Sequence, residues 1–116
     1  MKVFDTATLK SQIDGKTLVG YGAGWAALAT MRTWPLNLSF IIDDNPKLRG
    51  QNLLNVPIQP STILKDFDPE KTFIIVMAYA CRSVMGIHQR LSAAGLSMRS
   101  TGWIARAFTF TQFESD

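Results

Sequence analysis

The chain has 116 residues, which is enough for one hydrophobic core but too few for two domains. Its net charge of +3 comes from scattered Lys and Arg residues without a basic run, so the sequence does not favour nucleic-acid binding. The single Cys81 excludes an internal disulfide, and no apolar stretch reaches the roughly 20 residues that span a bilayer, so we expect a cytoplasmic protein without a membrane partner.

The first predicted elements lead into a glycine-rich turn. Residues 6–14 have helical spacing, and residues 16–20 form an apolar strand. A helix over residues 24–33 follows, and it ends before Pro35 because the residue before a proline disfavours helical backbone. Residues 38–42 form a second strand that is apolar on both faces and therefore buried, as in a parallel sheet.

The turn between the first strand and this helix has the spacing of a dinucleotide-binding fingerprint. Gly22 allows a tight turn, Gly24 lets a phosphate approach the backbone, and Ala27 lets the helix pack closely on its strand. Asp43 ends the second strand, 21 positions after Gly22, where its carboxylate could accept hydrogen bonds from ribose or sugar hydroxyls. A ligand phosphate is predicted to lie against the amides of residues 23–25, because the N–H groups at a helix start lack intrahelical partners.

The second half of the chain predicts the rest of an α/β sheet. Residues 55–59 form a short strand in which Pro57 indicates a sheet edge, and Ser61 caps a brief helix through residue 64. A buried strand over residues 72–78, a helix over 83–94 and a last strand over 98–104 complete the pattern. With right-handed crossovers, this pattern predicts a Rossmann-like fold: an open, mainly parallel, five-stranded sheet in the order 3-2-1-4-5 with helices on both faces. The ligand is predicted over the carboxyl ends of the first and fourth strands, where the order reverses.

Side chains at this edge are the candidates for ligand binding. We predict that Asp43 faces the cleft, that Asp44 lies in the turn after it, and that Tyr79 packs on a base or sugar. Adjacent residues rarely converge on one cation, so the two acids predict no metal site. Cys81 and His88 lie seven positions apart, about 10 Å along a helix, which is too far for a nucleophile and its base. The sequence therefore predicts no catalytic residue.

Three short motifs carry a resemblance to a known family. They are the turns Gly20-Tyr21-Gly22-Ala23-Gly24 and Asp43-Asp44-Asn45-Pro46, and the step Val56-Pro57-Ile58 before a short helix. With these motifs, residues 16–104 resemble a small Rossmann-like module of bacterial sugar-modifying proteins. Similar modules are the N-terminal domain of sugar acetyltransferases, the N-terminal domain of nucleotide-sugar dehydratases and the C-terminal domain of sugar C-methyltransferases.

The resemblance implies a nucleotide or nucleotide-sugar binding module of bacterial surface-polysaccharide or modified-sugar biosynthesis. In the acetyltransferase relatives this module binds the nucleotide sugar, and the catalytic base lies in a separate domain. Carried over by position, Gly22, Ala23 and Gly24 face phosphates, and Asp43 faces a ribose or sugar. Trp25 departs from the smaller or more polar residue that is usual there, and its indole either narrows the phosphate site or stacks on the ligand.

Three functions remain open for residues 1–116, taken either as a whole protein or as one part of a larger enzyme. The first is a binding module without catalysis of its own, whose ligand is a nucleotide sugar or an NAD-like nucleotide. The second is a ligand-free interaction module, which forms a homo-oligomer or docks on a partner methyl- or acetyltransferase. The third is a small NAD-dependent oxidoreductase, which is disfavoured because neither Tyr21 nor Tyr79 is followed by Lys four positions later.

Overall fold

A computed structural model describes residues 3–4, 14–33, 36–68, 70–77, 81–93, 102–106 and 109–112 of the chain. In chain order its strands are β1 (Val3–Phe4), β2 (Thr17–Tyr21), β3 (Phe40–Ile42), β4 (Asn52–Leu53), β5 (Val56–Gln59), β6 (Thr72–Val76), β7 (Gly102–Arg106) and β8 (Thr109–Gln112). Within the described residues, these strands form one sheet in the order β1-β8-β7-β6-β2-β3-β5-β4. The α-helices described are α1 (Trp25–Thr33) and α2 (Cys81–Ala93), and short 3-10 helices span Pro46–Leu48 and Ser61–Asp66.

Parallel strands form the centre of the sheet and confirm the predicted fold. They are ordered β5, β3, β2, β6 and β7, which is the predicted order 3-2-1-4-5. All of β6 is buried, and so is β2 after its first residue, because helices cover both faces of these central strands. The strand order reverses between β2 and β6, so the switch point lies at the carboxyl ends of these two strands, as predicted.

Alternating side chains of the central strands build a hydrophobic core on each face of the sheet. Leu18 and Ile75 belong to the same buried cluster as Ala27 of α1. Val19 belongs to a second buried cluster together with Leu91 of α2. Successive residues of a strand point to opposite faces, so the two clusters lie on opposite sides of the sheet. The prediction of helices on both faces is therefore confirmed.

Antiparallel strands that the sequence analysis did not predict extend both edges of this centre. On one side β8 pairs with β7, and β1 pairs with β8. On the other side β4 pairs with β5. The two residues that connect them, Leu54 and Asn55, have positive φ angles of 48° and 67°, as in a type I′ hairpin turn. Leu54 is an unusual residue for this conformation, because most side chains are strained at positive φ.

The prediction that Pro57 marks a sheet edge is wrong, because β5 pairs with β3 on one side and β4 on the other. Proline has no N–H to donate to a neighbouring strand. The bonds on the β4 side come instead from Ile58, whose N–H donates to the Gln51 carbonyl at 2.9 Å. The Ile58 carbonyl accepts from the Gly50 N–H at 3.3 Å. The strand is therefore paired on both sides despite its proline.

The helix boundaries differ from prediction by one or two residues, and one predicted cap is wrong. Pro60 is the N-cap of the 3-10 helix Ser61–Asp66, with no side-chain cap bond, and Ser61 is already its first residue. Residues 6–13 of the first predicted helix and residues 98–101 of the last predicted strand lie outside the described residues. In the part of the chain that the structure describes, neither α-helix has the length and apolar character needed to cross a bilayer.

Candidate functional site

The carboxyl ends of the central strands meet at one edge of the sheet and hold two turns side by side. We call residues 22–24 the glycine turn and residues 43–46 the acidic turn. The backbone bonds at this edge run from Gly22 N–H to the Ile42 carbonyl at 2.7 Å, from Met77 N–H to the Tyr21 carbonyl at 2.8 Å, and from Asp43 N–H to the Gln59 carbonyl at 3.1 Å. Because these bonds link β2, β3, β5 and β6, both turns have a rigid base.

Gly22 is a glycine that the fold itself requires. Its φ is +109°, a conformation that L side chains rarely adopt. A Cβ at this position would lie 2.6 Å from the backbone oxygen of Met77, which follows β6. The close approach of two neighbouring strand ends therefore explains this glycine without any ligand.

Gly24 differs, because nothing in the described protein needs a glycine there. A Cβ built on Gly24 meets no atom within 4 Å, and its φ lies outside the left-handed region. Its carbonyl accepts the N–H of Leu28 at 3.1 Å, so Gly24 is the N-cap of α1. Gly24 lies at the start of α1, where the helix dipole favours an anion.

The two residues that the fingerprint places after Gly24 have opposite environments. Ala27 is fully buried, at 0% exposure, and a larger side chain would push α1 away from the sheet. Trp25, the first residue of α1, is 73% exposed, which is rare for a large aromatic side chain. Its indole therefore lies at the surface beside the glycine turn.

Asp43 joins the acidic turn to the glycine turn. Its Oδ2 accepts the N–H of Ala23 at 2.8 Å, and its Oδ1 accepts the N–H of Asn45 at 2.8 Å. Asp43 thus lies beside the glycine turn, and its carboxylate already has two backbone donors. Each carboxylate oxygen can accept a further hydrogen bond, so a contact to a ligand hydroxyl remains chemically open. A phosphate, however, would meet a negative charge at Ala23.

Asp44 has its partners on the opposite face of the sheet. The hydroxyl of Tyr21, whose side chain belongs to the core under α2, donates to Asp44 at 2.9 Å from Oδ1 and 3.1 Å from Oδ2. Arg90 of α2 forms an ion pair with Asp44, with Nη1 at 3.3 Å from Oδ2. Burial first, and then the hydrogen bond to Asp44, raise the pKa of the Tyr21 phenol above its usual value, so it stays protonated and donates.

Tyr21 and Arg90 are residues that the sequence analysis missed as partners of the acidic turn. For Tyr21 a signal existed: a tyrosine that ends a buried strand needs a partner for its hydroxyl. For Arg90 there was none, because its contact depends on how α2 packs against the sheet. The predicted contact of Tyr79 with a base or sugar falls outside the described residues.

The sequence analysis considered Cys81 with His88 for catalysis, and Asp43 with Asp44 for metal binding. Cys81 and His88 both lie in α2, seven positions apart. Among the described residues, no group of three or more His, Cys, Asp or Glu side chains could hold a metal ion. Asp43 and Asp44 have separate partners, as described above, and do not converge on one point.

No protein-family model matches the sequence, and no curated protein matches it either. Solved structures do match. The crystal structure of RSP with β-NAD⁺ and operator DNA has 21% sequence identity and a TM-score of 0.54, over 78% of this chain and 46% of that chain. The structure of RSP, a Rex-family repressor, has 22% identity and a TM-score of 0.53 over the same shares, 78% and 46%. RSP with β-NADH has 20% identity and a TM-score of 0.56, over 95% and 55%.

This chain has a Rossmann-like fold. It spans about half the length of the RSP structures, at 46% to 55% of those chains. The nucleotide and the operator DNA are ligands of RSP, and the similarity shows a shared fold and nothing finer. None of these three structures is a sugar-modifying protein, so they do not support the family that the sequence resembles. The absence of a nucleic-acid partner stays a prediction.

Proposed function

We propose that this chain is a nucleotide-binding module that holds a phosphate of its ligand against the glycine turn. The observation that carries the proposal is Gly24. Among the described residues, neither backbone strain nor a neighbour within 4 Å requires a glycine at this position, so the space beside it is open to a ligand. Because this space lies at the start of α1, the group that suits it is an anion. The switch point between β2 and β6 is also where open α/β sheets bind their ligands.

The finer proposal is that the ligand is a nucleotide sugar of bacterial surface-polysaccharide or modified-sugar biosynthesis. Its support is the sequence resemblance carried by the glycine turn and by the acidic turn with Asp43. In this proposal Asp43 keeps its bond to Ala23 and uses a remaining lone pair for a ribose or sugar hydroxyl. The exposed Trp25 indole offers a surface on which a base can stack.

An NAD-like nucleotide is the second candidate for the same site. It is favoured by the shared fold with RSP, whose crystal structures contain β-NAD⁺ and β-NADH. Both candidates use a diphosphate at the glycine turn, so they differ in what lies beyond it. Binding measurements with UDP, UDP-sugars, NAD⁺ and NADH therefore separate the two.

The test is isothermal titration calorimetry of these nucleotides with the wild-type chain and with Gly24→Val. The valine places two methyl groups in the open space, so we expect affinity for the best ligand to fall at least about tenfold. Thr33→Val is the matched control, because it introduces the same side chain at an exposed position at the other end of α1. Equal affinity in a folded Gly24→Val variant, or no binding of any nucleotide, would overturn the proposal.

We also propose that the chain has no turnover of its own, and that a partner or fused transferase supplies the chemistry. Incubation with nucleotide sugars, NAD⁺, acetyl-CoA and S-adenosylmethionine is expected to return each substrate intact. Reproducible conversion of one of them, lost in Asp43→Ala or His88→Ala, would make the chain an enzyme. If no nucleotide binds, a stable oligomer in light scattering would favour the interaction module instead.

A further inference from the structure

An open cavity lies on the α2 face of the sheet, away from the glycine turn. It has a volume of about 330 Å³ and opens between the 3-10 helix Ser61–Asp66 and the last turns of α2. The residues that line it are Ser61, Thr62, Leu64, Lys65, Arg90 and Ala93. No residue of the glycine turn is among them, and the cavity meets the acidic turn only through the ion pair of Arg90 with Asp44.

The lining of the cavity has the composition of an anion site. Lys65 and Arg90 both line it, and the charge of Arg90 is partly offset by its ion pair with Asp44. Ser61 and Thr62 add hydroxyl groups that can donate hydrogen bonds. A phosphate carries a charge of roughly −1.5 to −2 near neutral pH, which the Lys65 ammonium and the remaining Arg90 N–H donors would attract. Its several oxygens can also accept bonds from more than one donor at once, as the lining provides.

One wall of the cavity is joined to the acidic turn by an ion pair. Arg90 is fixed by Asp44 through Nη1, and a guanidinium has further N–H donors for a second anion. Ser61, on the other wall, is the first residue of the 3-10 helix Ser61–Asp66, which follows β5 after Pro60. The ion pair orients the Arg90 side chain before any ligand arrives, which lowers the entropic cost of binding.

We propose that this cavity is a second binding site, which takes the phosphate group of a small organic phosphate between Arg90 and Lys65. Ser61 donates to a phosphate oxygen, and the carbon part of the ligand lies on Leu64 and Ala93. The cavity shares no lining residue with the glycine turn, and Arg90 alone connects it to the acidic turn through Asp44. It would remain if the glycine turn bound nothing.

The experiment is an NMR titration of the ¹⁵N-labelled chain with inorganic phosphate and, separately, with glycerol 3-phosphate at constant ionic strength. We expect saturable shifts at residues 61–65 and 90–93 with both probes. Tighter binding of glycerol 3-phosphate would identify an organic phosphate as the preferred ligand, whereas tighter binding of inorganic phosphate would overturn that part of the proposal.

Matched lysine variants show whether phosphate binds at the cavity or responds to positive charge anywhere on the surface. Lys65→Gln removes a cation from the cavity, and we expect it to raise the dissociation constant about fivefold. Lys71→Gln removes another exposed lysine, just before β6 at the amino end of the strands, and is expected to leave binding unchanged. Equal weakening in both variants, shifts without saturation, or shifts confined to residues 23–26 would overturn the proposal.

Discussion

Replacing Gly22 and Gly24 by alanine, one at a time, separates a glycine that folding requires from one that a ligand requires. At Gly22 the alanine must adopt a φ of +109°, and its Cβ would lie 2.6 Å from the Met77 carbonyl oxygen. The left-handed conformation costs a non-glycine residue about 1–2 kcal/mol. Steric overpacking costs about 1–3 kcal/mol more. The Met77 backbone has little freedom to move away, because its N–H donates to the Tyr21 carbonyl at 2.8 Å.

Gly22→Ala is therefore expected to lower the free energy of unfolding by about 2–5 kcal/mol, as measured by urea denaturation. Gly24→Ala adds a Cβ that meets no atom within 4 Å. Alanine is a poorer N-cap than glycine, but it also lowers the entropy of the unfolded chain, so we expect a change of about 1 kcal/mol or less. Nucleotide affinity should nevertheless fall in Gly24→Ala. A Gly22→Ala variant as stable as wild type, or equal stability losses in the two variants, would refute this reasoning.

Three further predictions concern Asp43, Tyr21 and Leu54. Asp43→Ala removes the acceptor of two backbone N–H groups, so we expect the free energy of unfolding to fall by about 2 kcal/mol even without ligand. If Asp43 also binds ribose, affinity for a ribonucleotide falls more than affinity for its deoxy analogue; equal losses would assign it to the turn alone. The pKa of Tyr21 is raised in the folded chain, so stability should fall as the pH rises above about 10, where the unfolded phenol ionises. The urea midpoint of Tyr21→Phe should fall less than that of wild type over the same pH range, and an equal fall in the two proteins would contradict this. Leu54→Asn relieves a φ of 48° at a position 46% exposed, and we expect a gain of about 0.5–1 kcal/mol in urea denaturation; a lower midpoint would contradict it.

The sequence by itself was sufficient for the central sheet, because its signals are local. Apolar runs such as β6 identify buried strands, and the positions of Gly22 and Gly24 identify a strand that enters a helix. Right-handed crossovers then leave few possible orders, and the observed order of the parallel strands is the predicted one. The nearness of Asp43 to the glycine turn followed from the same topology, since neighbouring parallel strands end at one edge.

Only the tertiary structure decided which contacts the acidic residues make. Asp43 and Asp44 are adjacent in the sequence, yet one bonds the Ala23 N–H and the other bonds Tyr21 and Arg90 on the opposite face. Such contacts depend on where the helices pack on the sheet. No periodic pattern in the sequence encodes the distance between a helix side chain and an acidic residue at the sheet edge. The same holds for the outer strands, which are short and lack the long apolar runs of the centre. Each outer strand pairs with a strand next to it in the sheet, and where a turn connects the two strands, that turn helps to set their register.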